Sequence, residues 1–137
     1  MSTLKKLNEG AKYSHGTVGN LSNFEGKVFI KDELKETYCE ISFGTLAPGQ
    51  AVPFFHSHKA NEENYVILRG EGMFQVDGDV FPISEGSVVR VATNCDRNLK
   101  NTAAAGHMVY ICIQAKEGSL EGYTMSDAEI TERENLL

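Results

Sequence analysis

GQAVPFFHSHKANEENYVILRG, residues 49–70, opens on a turn, carries two histidines and two adjacent glutamates, and ends in an apolar run closed by a glycine. His56 and His58 are two residues apart, so an extended backbone presents both imidazoles on one side. Glu63 begins the next extended segment, where a single cation could meet all three side chains. Two imidazoles and one carboxylate on one face suit octahedral Fe, Mn, Ni or Zn and leave coordination positions for another ligand. At the upstream end Pro48-Gly49 is a type II turn pair, with proline presetting φ and glycine accepting a positive φ.

The flanking sequence has a period of two rather than of a helix. Residues 37–46, TYCEISFGTL, alternate, with Cys39, Ile41 and Phe43 on one side and Tyr38, Glu40 and Ser42 on the other. Residues 64–68, NYVIL, form the strand after the histidines. Two short runs at 73–76 and 79–83 flank Asp77-Gly78, a strong hairpin signal because a type I′ turn needs positive φ twice. Residues 87–92 are a strand and 93–99 a polar loop, while 107–115, HMVYICIQA, are β-branched enough to be central to a sheet. Upstream, 27–31 make a first strand, 32–36 a turn and 1–20 a loose arm. In the tail, Ser126 and Glu129 fit a capping box and predict a short helix. Many short strands between turn signals predict an all-β sandwich or barrel; a jelly roll of this kind can hold a ligand inside.

A chain of 137 residues suits one domain. Its net charge of −6 argues against nucleic acid or an anionic membrane as partner, since both need concentrated Lys and Arg. Cys39, Cys95 and Cys112 are odd in number, with no C-x-x-C, which points to packing residues in a reduced, cytoplasmic setting. The start lacks the apolar core of a signal peptide, and the longest apolar run, 108–113, is too short to cross a bilayer. There is no phosphate loop and no serine-nucleophile motif.

The spacing Gly49, His56, His58, Glu63, Gly70 resembles the first motif of the cupins, with the stretch before His56 one residue longer than usual. A weaker likeness to their second motif follows: Gly86, a strand at 87–91, Ala92 where proline is usual, Asn94 at the turn glycine, Arg97 at the histidine and Asn101 at the asparagine. The resemblance implies a double-stranded β-helix, a jelly-roll barrel, over residues 37–115. Residues 1–36 would be an N-terminal arm and first strand, and 116–137 a tail free to pack on the barrel. It also implies a homodimer, a small-molecule ligand, and one divalent metal ion held by the two histidines, the glutamate and the second-motif histidine. Cupins range from dioxygenases, isomerases and decarboxylases to sensors without turnover, so fold does not settle function.

Glu62 rivals Glu63 as the carboxylate; the family spacing to Gly70 favours Glu63, and a slip by one residue would turn the strand over. Arg97 is the departure. A guanidinium has no lone pair to donate, which leaves three protein ligands, but it can fork onto the carboxylate of an anionic substrate. The other readings of Arg97 are a surface partner of Asp96 or, after a register slip, a neighbour of an inward Asp96 ligand. Tyr65 shares the parity of Glu63 and would line the same cavity and orient a substrate; Phe54, Phe55, Phe74 and Tyr110 are further walls. His107 is read as a strand-end histidine. Two functions are expected from these residues. The first is a metal-dependent, dioxygenase- or isomerase-like cupin acting on a small anionic molecule. Its alternative is a binding or sensing barrel with a degenerate metal site.

Overall fold

Alternation sorts nearly every strand in the computed structural model, which describes residues 1–137. In chain order come β1 (Lys5–Glu9), β2 (Ser14–Thr17), β3 (Lys27–Phe29), the single-turn α1 (Lys31–Leu34), β4 (Glu40–Leu46), β5 (Asn61–Arg69), β6 (Glu71–Val76), β7 (Asp79–Ser84), β8 (Val88–Val91), β9 (Arg97–Asn101) and β10 (Met108–Lys116). Five strands form one antiparallel sheet in the order β3-β4-β10-β5-β8, and three form a second in the order β7-β6-β9. Strand β10, the most β-branched stretch, sits in the middle of the larger sheet, as its composition predicts. The two sheets close as a jelly-roll barrel of the double-stranded β-helix type.

The barrel interior is packed by Tyr65, Ile67, Phe74, Leu99, Met108 and Tyr110, among others. On β4 the small and polar parity faces inward: Ser42, Gly44 and Leu46 are buried. The apolar parity, Ile41 and Phe43, lies on the outer face, where a second cluster of Phe24, Val28 and Ile30 covers it. The upstream segment therefore behaves as a lid of core residues on the outside of the larger sheet. Gly72 on β6 permits the close approach of β9, because a Cβ there would run into the Lys100 carbonyl.

Two positive-φ residues shape the smaller sheet. The hairpin forms as read, with Val76 paired to Asp79 and Asp77 at φ 48°, but Gly78 does not adopt a positive φ, so the turn lacks the two positive φ angles of type I′. The Asp77 amide donates to Asp96 O at 2.9 Å, and its Oδ1 accepts from Asp96 N at 2.9 Å. Asn94 has φ 59°, the left-handed conformation that the turn glycine of the second motif would supply.

Four local expectations change. Residues 93–99 are not wholly loop, for β9 starts at Arg97; its buried positions are Arg97, Leu99 and Asn101, so two of three inward residues are polar and the usual signal is missing. Residues 5–17 form a two-stranded hairpin, although every residue of β1 is exposed. Residues 32–36 hold most of α1, which ends at Lys35 with φ 58°. Residues 116–137 are exposed and carry no helix: a cap without an apolar face to bury does not hold a helix. No helix is long and apolar enough to cross a membrane.

Asn101 ties the barrel end together. Its Nδ2 donates to Leu46 O and to Gly106 O, both at 2.9 Å, and its Oδ1 accepts from Ala103 N at 3.0 Å, with the side chain fully buried. Asn101→Ala would leave the buried Leu46 carbonyl without its donor and release the 103–106 turn from the barrel end, and is expected to cost about 1–3 kcal/mol. Urea denaturation checks this; a loss below about 0.5 kcal/mol would mean the end of the barrel is held elsewhere.

Candidate metal centre

The segment that bears the histidines runs antiparallel along β9 without becoming a regular strand. Only two isolated bridges form, Ala51 with Lys100 and His56 with Arg97. Pro53 between them has no amide to donate. Asn98 compensates, its Nδ2 donating to Val52 O at 2.8 Å and to Phe54 O at 3.3 Å. Each histidine carbonyl is also held: Arg97 N and Arg97 Nη1 donate to His56 O at 3.1 and 3.0 Å, and Asn94 N donates to His58 O at 2.8 Å.

Glu63 reaches the same place from β5, where it pairs with Gln114 of β10 and Val91 of β8. His56 Nε2 lies 3.4 Å from Glu63 Oε1 and His58 Nε2 lies 3.4 Å from Glu63 Oε2. Potential ligand atoms of the three residues lie within 4.8 Å of one another. Glu62 faces the other way and its carboxylate accepts from Arg90 Nη1 at 3.0 Å, so the structure brings Glu63, not Glu62, to the histidines. The imidazole rings stand edge to face, with centroids 5.2 Å apart.

The carboxylate is held from behind. Tyr65 donates its hydroxyl to Glu63 Oε1 at 3.0 Å, and the Cys112 thiol donates to Glu63 Oε2 at 3.1 Å. Burial alone would raise the Glu63 pKa, but these hydrogen bonds and the charges of His58 and Arg97 outweigh it and hold the carboxyl below its usual range. Burial keeps the His56 imidazole below its ordinary pKa, reinforced by Arg97 and opposed by Glu63, which favours the neutral form that ligates metals. Burial likewise pushes the Tyr65 and Cys112 pKa values upward, so both remain protonated donors, and lifts Tyr110 to about 12. Cys112 is therefore more than a packing residue. Its contact with Glu63 spans β5 and β10, and only the sheet register reveals it: Cys112 lies opposite Tyr65.

Arg97 is 1% exposed, neither on the surface nor paired with Asp96, and its Nε lies 3.5 Å from Glu63 Oε1. It lines a cavity of about 50 Å³ together with His56, Tyr65, Tyr110 and Phe54. Of the other expected walls, Phe74 is buried in the core and Phe55 is half exposed outside it, lining a larger apolar groove of about 240 Å³ that contains neither site histidine. His107 is exposed ahead of β10, outside this constellation. Two imidazoles and an ionised, pre-oriented carboxylate fit one divalent ion, and the guanidinium beside Glu63 opposes it electrostatically.

Comparison with known proteins adds four findings. Residues 42–114 match the family model described as the cupin domain. A cupin protein from Bacteroides fragilis has a crystal structure that superposes with a TM-score of 0.79 at 35% identity, covering 90% of this chain and 100% of that one. A predicted oxalate decarboxylase from Thermotoga maritima shares the fold alone, with a TM-score of 0.58 at 19% identity over 84% of this chain and 93% of its own. An uncharacterised protein of Methanocaldococcus jannaschii is 24% identical over 75% of this chain and 71% of its length.

Proposed function

This chain belongs to the cupin family, and on that footing we propose that it holds one divalent metal ion on His56, His58 and Glu63 and binds a small anionic molecule beside it. The convergence of three donor side chains within 4.8 Å carries the reading. Iron, manganese, nickel or zinc would each suit this donor set and supply Lewis-acid or oxygen chemistry of the dioxygenase or isomerase kind. The chain's own part is positioning. Tyr65 and Cys112 aim the Glu63 carboxylate, Arg97 offers positive charge to the ligand, and the Tyr65 ring forms a wall that excludes water.

One observation favours the second reading, a binding or sensing barrel without turnover. Arg97 stands where a fourth donor would be and neutralises Glu63, so the charges balance before any ion enters. Added metal would raise activity in an enzyme, whereas a sensor would respond to its ligand by thermal shift alone. Three free cysteines suit a reducing, cytoplasmic compartment, and a symmetric homodimer is the expected assembly.

Elemental mass spectrometry of the tag-free protein, as purified and after reconstitution, tests the metal. About one equivalent is expected, with little retained by His56→Ala. Absence of metal after reconstitution, or equal content in the variant, would refute the three-ligand assignment.

A further inference from the structure

Across the larger sheet, Lys27 of β3, Gly44 of β4 and Tyr110 of β10 lie in one row. Gly44 leaves a gap in that row, and the Tyr110 ring lies over it. A Cβ on Gly44 would come within 2.6 Å of the ring and 2.8 Å of the hydroxyl oxygen. The missing side chain therefore lets the hydroxyl reach across β4 toward β3. A phenylalanine ring would fill the gap as well, so packing accounts for the ring and not for its oxygen.

That oxygen is uncommitted. Tyr110 is 4% exposed, yet its hydroxyl has no hydrogen-bond partner within the protein. Unlike Nε and Nη2 of Arg97, which solvent does not reach, it stays open to a small group. The hydroxyl belongs to the wall of the cavity of about 50 Å³ beside the metal centre. Other polar groups on that wall are engaged: Tyr65 donates to Glu63, Asn98 to Val52 O and Phe54 O, and Arg97 Nη1 to His56 O.

The lining also has a sign. It holds two cations, Lys27 and Arg97, and no carboxylate, in a chain whose net charge is −6. Arg97 contributes charge alone, whereas Lys27 is exposed at the rim and pairs with no acid. Its Nζ rests 5.2 Å from the centre of the Phe29 ring, and the flexible stem can swing it onto an anion. A hollow lined by cations and one free donor favours an anion. A water needs about 10–15 Å³ of such a hollow, so about three or four non-hydrogen atoms fit, which suits a carboxylate and the carbon that bears it. Phe54 is 60% exposed and marks the open side, where the rest of a ligand lies.

We propose that Tyr110 selects the ligand of this cavity: its hydroxyl donates to a carboxylate oxygen of a small organic acid, and the Lys27 ammonium closes on the same group from the rim. This rests on the reading of the barrel interior as an anion site but does not need the metal, because both groups belong to the chain.

The test titrates the full chain, stripped with EDTA, by calorimetry with acetate and with its neutral isostere acetamide. Acetate is expected to bind about tenfold more tightly. Tyr110→Phe keeps the ring over Gly44 and is expected to weaken acetate binding about tenfold. Because the hydroxyl bonds nothing in the protein, the urea midpoint of the free variant should stay where it is. Lys27→Gln should weaken binding and flatten its dependence on salt. Arg90→Gln, at an exposed pair with Glu62, is the control for loss of a positive charge and should leave binding unchanged. Equal binding of acetamide, or undiminished acetate binding by Tyr110→Phe, would overturn the proposal and leave the anion site and the metal untouched. Absence of saturable acetate binding would overturn the proposal and the anion reading together. Metal content is measured separately, so acetate binding that depends on Tyr110 in a chain that takes up no metal would sink the metal assignment alone.

Discussion

Arg97→His is expected to raise divalent-metal affinity by at least about a hundredfold. Two effects act together. The substitution adds an imidazole donor at the position where the second cupin motif carries its histidine. It also removes a guanidinium whose Nε lies 3.5 Å from Glu63 Oε1, one of the prospective ligand atoms. Two unit charges 4 Å apart interact by about 4 kcal/mol at an effective dielectric of 20, and about 1.4 kcal/mol is a tenfold change in affinity. The electrostatic relief alone is therefore of the stated order. The smaller side chain also loses the Nη1 bond to His56 O, so the metal-free variant should be less stable by roughly 1–2 kcal/mol even as its loaded form gains. Competition against a chromophoric chelator reads the affinity, and a melt in EDTA reads the stability. Equal or weaker affinity would place Arg97 out of reach of the donor set.

Glu63→Gln is expected to cost about 3–5 kcal/mol of folding stability, as befits removal of one partner from a buried ion pair. Glu63 is 3% and Arg97 1% exposed, so neither charge is solvated when the other is lost. The amide has a further difficulty. Tyr65 and Cys112 each aim a donor at one carboxylate oxygen, and a Gln side chain offers only one acceptor, leaving its own N–H₂ facing the other donor. Adding Arg97→Gln should recover part of the loss, giving a double-mutant coupling of roughly 1–3 kcal/mol. Urea midpoints of the two single variants and the double variant close the cycle. Strictly additive losses would mean that the two charges do not feel each other.

The scaffold was legible wherever burial and alternation agree. The Asp77-Gly78 hairpin, the central strand β10 and the parity of β5 all follow from residue type and spacing. Glu63 could be preferred over Glu62 because the strand that follows fixes which carboxylate faces inward, and the structure sends Glu62 to Arg90. Strand β9 was hidden because its inward residues include Arg97 and Asn101, whose burial is stabilised by hydrogen bonds to distant backbone rather than by apolar contact. The donor Cys112 was hidden because its partner is 49 residues away. The capping signal at Ser126 misled for the opposite reason: a local pattern was present, but nothing was available to pack against it.

The paired hydrogen bonds between Asp77 and Asp96 bear on anyone who wishes to label or extend this protein. The tip of the β6–β7 hairpin is exposed, and by the usual criteria it would be chosen for a peptide tag or a dye. Yet it clasps the residue immediately before Arg97 through both backbone and side chain. An insertion there would loosen the anchor of the buried guanidinium from the far side of the strand. The exposed tail after residue 121 offers an attachment point whose hydrogen bonds stay within the tail.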